Sequence, residues 1–332
     1  MSAIAIMRRA VSELIMPVAR NVRPYRFGAF NLVFSRFCNA TCRMCVKTHF
    51  DDKAASRVYL DQATLNSALA QLKSMGARDI AVFPMGEPLV HPRFSAFVEQ
   101  IVDAGFRVVF STNGELVKPK HHAAIAKAVD IGYSIEGYDE PGVRHYRGVS
   151  FEKVMSGLVA LRSALGTQSM TLRTTLYKSM DEAYLKAFMA TWAPFFDKLV
   201  VTPANPPHLY HSAIPPGAGV SPDEFYTFQR DTAKKCQIGK TGVAILPNGD
   251  VSECTEDYAA RFIFGNINRQ HLRDILESKK LAEFRRNALT NENNVCGDCC
   301  VYFSMIPEHK VRAEAMIRLA HDLFAKYGRR QT

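Results

Sequence analysis

The chain has 332 residues, 47% of them hydrophobic and 22% charged, a globular composition that excludes disorder over most of its length. That length suits two domains, or one large barrel with an appendage, and no apolar run approaches the ~18 residues that a membrane-spanning helix needs. The formal net charge of +10 gathers at the ends, with +4 in residues 1–26 and +3 in residues 308–332, which disfavours a nucleic-acid surface while an anionic substrate or an anionic membrane stays compatible.

Residues 1–26 read as an amphipathic extension, with Ile4, Met7, Val11, Leu14 and Ile15 on one helical face and Pro17 as a stop. A basic helix of this kind can lie on an anionic membrane, although packing on the protein body is the commoner fate. It does not read as a signal peptide, because Arg8 and Arg9 follow the first apolar residues and Glu13 interrupts the run. A cytoplasmic location is therefore expected.

From residue 27 to 205, strand-like runs alternate with helical patterns. Strands are expected at Ala29–Ser35, Asp79–Phe83, Arg107–Phe110, Asp130–Ile135, Met170–Leu176 and Lys198–Thr202. Apolar helix faces recur at Leu65-Ala68-Leu69-Leu72, Phe94-Phe97-Val98-Ile101 and Val154-Leu158-Leu161. Six strand–helix units predict an α/β protein with a parallel sheet and covering helices. Polar residues follow the strand ends, the face where α/β barrels place their chemistry.

Residues 206–224 are rich in Pro and Gly and read as a linker or a loop over the barrel mouth. Their His208, Tyr210 and His211 are candidate substrate contacts, with ordinary surface polar groups as the plain alternative. Residues 225–306 form a second, smaller module. It starts with a hairpin, Val243–Leu246 and Val251–Cys254, turned by Pro247-Asn248-Gly249-Asp250, and continues into a helical stretch at His271–Ala288. Residues 307–332 carry a covering helix whose apolar face is Ala313, Met316, Ile317, Ala320, Leu323, Phe324 and Tyr327.

Eight cysteines fall into two groups: Cys38, Cys42 and Cys45, then Cys236, Cys254, Cys296, Cys299 and Cys300. In a cytoplasmic chain such clusters argue for metal or catalysis over disulfides. Cys38-Asn-Ala-Thr-Cys42-Arg-Met-Cys45 lets one loop aim three thiolates at one centre, and three ligands leave a cubane iron–sulfur cluster with one iron open to a small molecule. A structural zinc site needs four closed ligands, for which His49 is the only local candidate.

The C-x3-C-x2-C just after a strand resembles the radical S-adenosylmethionine (radical SAM) superfamily, and four companion motifs follow in order. Met85-Gly86-Glu87-Pro88 resembles the family's G-G-E-P turn, with Met85 in place of the first glycine. Ser111-Thr112-Asn113-Gly114 resembles its T-N-G. Ser134-Ile135-Glu136-Gly137 resembles its S-[IV]-[DE]-G, and Tyr146-Arg147-Gly148 its R-G. Each alone has an ordinary structural reading as a turn or a strand end; the ordered set does not. The order Cys236, hairpin, Cys254, Phe264-Gly265-Asn266-Ile267, helix, Cys296-x2-Cys299 resembles the SPASM (twitch-like) extension of the same enzymes.

The resemblance implies a partial (β/α)6 barrel over residues 27–205 and two 4Fe-4S clusters. Cys38, Cys42 and Cys45 would hold the cluster that binds S-adenosylmethionine. Cys236, Cys254, Cys296 and Cys299 would hold the auxiliary one, where an all-cysteine zinc site is the alternative. Cys300 is left as a structural thiol, an alternative ligand or a hydrogen donor. Met44, Gly86, Glu87, Pro88, Ser111, Asn113, Ser134, Glu136 and Arg147 would form the cofactor shell, with the turn's backbone and Glu87 toward the methionine amino group and Arg147 toward its carboxylate. Reductive cleavage would give a 5′-deoxyadenosyl radical that abstracts a hydrogen from the substrate, the protein aiming the radical and excluding water. Net oxidation through the auxiliary cluster is the expected outcome, and epimerisation the alternative.

A flavodoxin- or ferredoxin-type donor would supply the electron. Because the barrel starts near residue 27, leaving no space for a leader-binding domain before it, a small molecule such as a sugar or nucleotide-linked sugar is the expected substrate. A peptide maturase is the enzymatic rival. A zinc or iron–sulfur module binding nucleic acid through its basic ends is the rival from another class.

Overall fold

The computed structural model describes residues 29–49, 59–82, 85–206, 221, 223–231, 243–255, 257, 258, 260–290 and 303–328. Six parallel strands come first: β1 (Ala29–Leu32), β2 (Asp79–Ala81), β3 (Arg107–Thr112), β4 (Asp130–Ser134), β5 (Met170–Leu176) and β6 (Lys198–Pro203). They lie side by side in chain order, as right-handed β–α–β crossovers build them. Between them run α1 (Gln62–Ser74), α2 (Phe94–Asp103), α3 (Pro119–Ile125), α4 (Glu140–Arg147), α5 (Phe151–Leu165) and α6 (Glu182–Trp192). The described strands form an open sheet, compatible with the expected partial barrel.

Local chemistry fixes these elements where the periodicity placed them. Asp61 caps α1 by accepting from Thr64 N, and Asp181 caps α6 by accepting from Tyr184 N, each satisfying an otherwise orphaned donor. On α2 the buried residues are Phe94, Phe97, Val98 and Ile101, the face read from the sequence. Strand β5 buries six of its seven residues, as a parallel strand covered on both faces must. The sequence reading expected six strand–helix units but named no apolar face for α3, α4 or α6. Helix α4 has only Val143 and Tyr146 as a buried apolar face, too short a pattern to detect.

The C-terminal hairpin is continuous with this sheet. Strand β8 (Ala244–Ile245) pairs in parallel with β1, β9 (Asp250–Ser252) turns back on β8, and β10 (Ile263–Asn266) pairs with β9, which makes nine strands in one sheet. The helical stretch expected at 271–288 is two helices, α7 (Leu272–Leu276) and α8 (Lys279–Thr290). A second, two-stranded sheet joins β7 (Phe228–Arg230) to β11 (Phe303–Met305) and leads into α9 (Pro307–Tyr327). Among the described residues no helix is long and apolar enough to cross a membrane. The N-terminal helix expected in residues 1–26 lies outside the described residues.

Candidate active site

The three-cysteine loop leaves the sheet after β1 and is fastened by its main chain. Thr41 N donates to Arg147 O at 3.0 Å and Arg43 N to Tyr146 O at 3.1 Å, which ties the loop to the C-terminus of α4. Gly148 follows with φ +68°, and a Cβ there would stand 1.9 Å from Thr41 Oγ1. The R-G pair therefore needs its glycine twice, for a left-handed helix end and for this close approach. Gly86 serves the other side, since a Cβ on it would meet Ser35 O at 2.1 Å. Glu87 N donates to Phe37 O at 3.1 Å in the same crossing.

Around this loop lies a cavity of about 540 Å3. Cys38, Cys42 and Cys45 share its wall with Met44, Gly86, Glu87, Ser111, Asn113, Ser134 and Arg147. Of the expected cofactor shell, only Pro88 and Glu136 stand back from the lining. Pro88 is buried at the start of a short turn of 3-10 helix, and Glu136 is fully buried behind Arg147. The cavity also takes in Asn31, Lys47, Thr112, Thr255 and Tyr258, which sequence reasoning missed. Thr255 and Tyr258 follow Cys254 within four positions, and that proximity is the signal that could have found them.

Two carboxylates inside this shell accept from protein donors on both of their oxygens. Glu87 accepts from Thr112 Oγ1 (2.8 Å), Asn113 N (2.8 Å) and Leu89 N (3.1 Å), a clasp between the second and third strand ends. Burial pushes it up to about 7, against the pull of those hydrogen bonds. Glu136 accepts from Thr175 N at 2.6 Å and from Arg147 Nε. Glu87 also lines the cavity, so these protein hydrogen bonds fix its position in the wall. Asn113 steadies the loop's first cysteine, its Nδ2 donating to Asn39 Oδ1 at 3.0 Å, while Asn39 Nδ2 donates to Glu115 Oε2 at 2.6 Å.

The thiols fit an iron–sulfur cluster by the chemistry of their donor set. All three are free, and burial pushes each of them up, Cys45 to about 11, with Arg147 beside Cys42 pulling the other way. Buried thiols of this kind ionise readily only against bound positive charge, which a metal cluster supplies. Among the described residues no group of His, Cys, Asp or Glu is placed to hold a single metal ion. All three cysteines line the same cavity. His49's side chain, Cys236, Cys296, Cys299, Cys300, His208, Tyr210 and His211 lie outside the described residues. Cys254 is half-buried, just after β9.

Comparison with known proteins agrees with this architecture. The radical SAM superfamily model matches residues 32–190, and the model of the SPASM iron–sulfur cluster-binding domain matches residues 236–300. The chain is 25% identical over 312 residues to the tungsten-containing aldehyde ferredoxin oxidoreductase cofactor-modifying protein of Pyrococcus furiosus, covering 79% of this chain and 84% of that one. It is 28% identical over 155 residues to the AdoMet-dependent heme synthase of Methanosarcina barkeri, covering 46% of this chain but only 43% of that protein. The structure of BtrN in complex with AdoMet and 2-DOIA superposes with a TM-score of 0.54 at 17% identity, over 85% of this chain and 94% of that one, a likeness of fold. Two ordered domain matches on a sheet and loop of this form make the chain a member of the radical SAM superfamily with a SPASM domain, dependent on S-adenosylmethionine, a 4Fe-4S cluster and auxiliary iron–sulfur.

Proposed function

We propose that the chain is a radical SAM oxidoreductase that abstracts hydrogen from a compact, polar small molecule, of the sugar or nucleotide-linked sugar class, with the auxiliary cluster as electron acceptor. In this reading Cys38, Cys42 and Cys45 hold the S-adenosylmethionine-binding cluster, and Cys236, Cys254, Cys296 and Cys299 the auxiliary one. Together the bound cluster and S-adenosylmethionine supply a hydrogen-abstracting radical, the chemistry that no side chain can perform.

What carries the substrate class is the cavity. Its volume of about 540 Å3, as bounded by the described residues, must admit cofactor as well as substrate, which leaves room for a compact ligand. Away from the thiols its wall presents the polar groups of Asn31, Lys47, Ser111, Ser134, Thr255 and Tyr258 beside apolar Ala40, Met44, Val46 and Met85. The polar groups can hydrogen-bond hydroxyls of a ligand, and Lys47 suits one that carries negative charge. The relatives named above act, by name, on a cofactor and in heme synthesis, which also favours a small molecule. The chain's own part is to orient the ligand through those groups and to close the site to water, with Glu87 and Glu136 holding the strand ends in register.

The test begins with metal content. Anaerobically reconstituted protein is expected to hold about 8 iron per chain, falling to about 4 in a Cys38/Cys42/Cys45→Ala variant. Zinc without iron would overturn the reading. With iron established, incubation with S-adenosylmethionine, a reduced flavodoxin and a panel of sugar nucleotides should release 5′-deoxyadenosine and an oxidised sugar in step. Turnover only with a peptide would transfer the chain to the maturases, and a configurationally inverted product without net oxidation would make it an epimerase.

A further inference from the structure

The arginine of the R-G pair sits where it can serve the cluster loop itself. Arg147 ends α4, and its side chain is only 9% exposed. Its Nε donates to Glu136, whose other oxygen accepts from Thr175 N in β5 at 2.6 Å. With the near edge of the guanidinium fixed in this way, Nη1 lies 3.5 Å from Cys42 Sγ. The same residue's carbonyl accepts from Thr41 N at 3.0 Å. Arg147 thus holds the loop twice, by main chain at Thr41 and by side chain at Cys42.

A buried cation between a carboxylate and a sulfur is not a neutral choice. Desolvation of a guanidinium is costly and is recovered only through pairing on both edges. Glu136 alone would satisfy one edge; the other is directed at the cysteine. Hydrogen bonds and charge at the ligating sulfurs are among the protein's main levers on a cluster's potential and retention.

We propose that Glu136 and Arg147 form a positioning pair for the Cys42 sulfur, in which the guanidinium supports the ligating thiolate and raises the cluster's reduction potential. This differs from the carboxylate-recognition role expected for Arg147, and it rests on the reading of Cys38, Cys42 and Cys45 as cluster ligands. Neutralising either member shifts charge beside the same sulfur, but in opposite senses. Removing the cation makes reduction harder, and removing the carboxylate makes it easier. Loss of either loosens the sulfur.

The experiment uses the full chain with Cys254 and Cys296 changed to Ala, so that iron and spectra report the loop cluster. In this background Arg147→Gln, Arg147→Lys and Glu136→Gln are reconstituted and titrated redox-potentiometrically by electron paramagnetic resonance, then challenged with a chelator. Arg147→Gln should move the midpoint negative and Glu136→Gln positive, with Arg147→Lys nearer to the parent. Iron should leave the two neutral variants about 10–100-fold faster. Affinity for S-adenosylmethionine, measured by equilibrium dialysis, should change by less than about tenfold in Arg147→Gln.

An unmoved potential with a larger loss of S-adenosylmethionine affinity would overturn the inference and restore the carboxylate role. Shifts of one sign in both neutral variants would reduce the pair to a structural tie and overturn it as well. If the parent background takes up no iron, the cluster assignment itself has failed, a result distinct from either. Should Arg147→Gln not fold, the opposed shift of Glu136→Gln and the behaviour of Arg147→Lys still decide the matter.

Discussion

Met85 occupies the first position of the turn that carries Gly86 and Glu87, and its φ is +67°, in the left-handed region where glycine is at home. A side chain there costs roughly 1–2 kcal/mol of backbone strain. The compensation lies in packing: Met85 is buried in a small cluster with Val33, Ala244 and Leu246, where the C-terminal hairpin meets the end of β1. Deleting a buried methionine side chain costs about 2–5 kcal/mol, more than the strain it imposes. Met85→Gly is therefore expected to destabilise the protein by about 1–3 kcal/mol in chemical denaturation, although it restores the family's own residue. A stabilised variant would show that the methionine contributes nothing beyond strain. The departure from G-G-E-P was legible in the sequence, but its reason was not, because the partners at 244 and 246 come from the other end of the chain. Gly148 was legible as part of the local Arg147-Gly148 motif, but its second reason, the approach of Thr41, was not.

Individual elements converge on the cysteine loop, and one of them carries a group that no motif marked. Glu224, in the described stretch 223–231 between the core strands and the C-terminal hairpin, places one carboxylate oxygen on Arg43, between Cys42 and Cys45. Its other oxygen lies 2.5 Å from His145 Nε2 on α4. Its carboxylate staples the side chains of the two segments whose main chains already pair at Thr41 and Arg43. Burial would raise its pKa, but the hydrogen bonds from His145 and Arg43 outweigh this and hold it below the ordinary carboxylate value. A carboxylate depressed by folding contributes stability that is present above its unfolded value and is lost as pH falls through its folded value. Acid should thus free the loop, and Glu224→Gln should free it at neutral pH, accelerating amide hydrogen exchange of residues 41–45. Charge-assisted hydrogen bonds of this kind contribute about 1.5–3 kcal/mol. Exchange that is unchanged in the variant, or acid-insensitive in the parent, would remove Glu224 from this role. The strand–helix units were legible because each repeats an apolar pattern; Glu224 was not, since a single acid in a breaker-rich stretch has no period. The short strands Phe228–Arg230 and Phe303–Met305 escaped notice likewise.

The whole molecule is organised by a sheet that does not stop at the barrel. The sequence suggested a core and a small module, and among the described residues the strands of both run together in one sheet of nine, β8 adding to the free edge of β1. Polar contacts from α1 reinforce the junction. Gln71 Nε2 donates to Ile267 O at 2.9 Å and its Oε1 accepts from Leu272 N at 2.6 Å, while Asn268 Nδ2 donates to Thr64 Oγ1 at 2.9 Å. A glutamine on a half-buried helix face carries no sign of such a role until a segment 196 residues away in sequence arrives beside it. Gln71→Leu leaves Leu272 N without this partner, a loss of about 1–3 kcal/mol, while Ile267 O keeps the hydrogen bond from Ser67 Oγ at 3.0 Å. In a chain of this size each kcal/mol lowers the melting temperature by roughly 1–2 °C. The single tryptophan makes the consequence measurable. Trp192 is fully buried at the end of α6, its Nε1 donating to Gly137 O at 2.7 Å, on the side of the sheet opposite the hairpin. If the sheet unfolds as one cooperative unit, Trp192 fluorescence and far-ultraviolet circular dichroism will shift together in Gln71→Leu, by about 1–5 °C. A tryptophan transition that stays in place while the dichroism splits would mean that the C-terminal strands come apart on their own. The cavity wall at Thr255 and Tyr258 would then open and close independently of the three-cysteine loop.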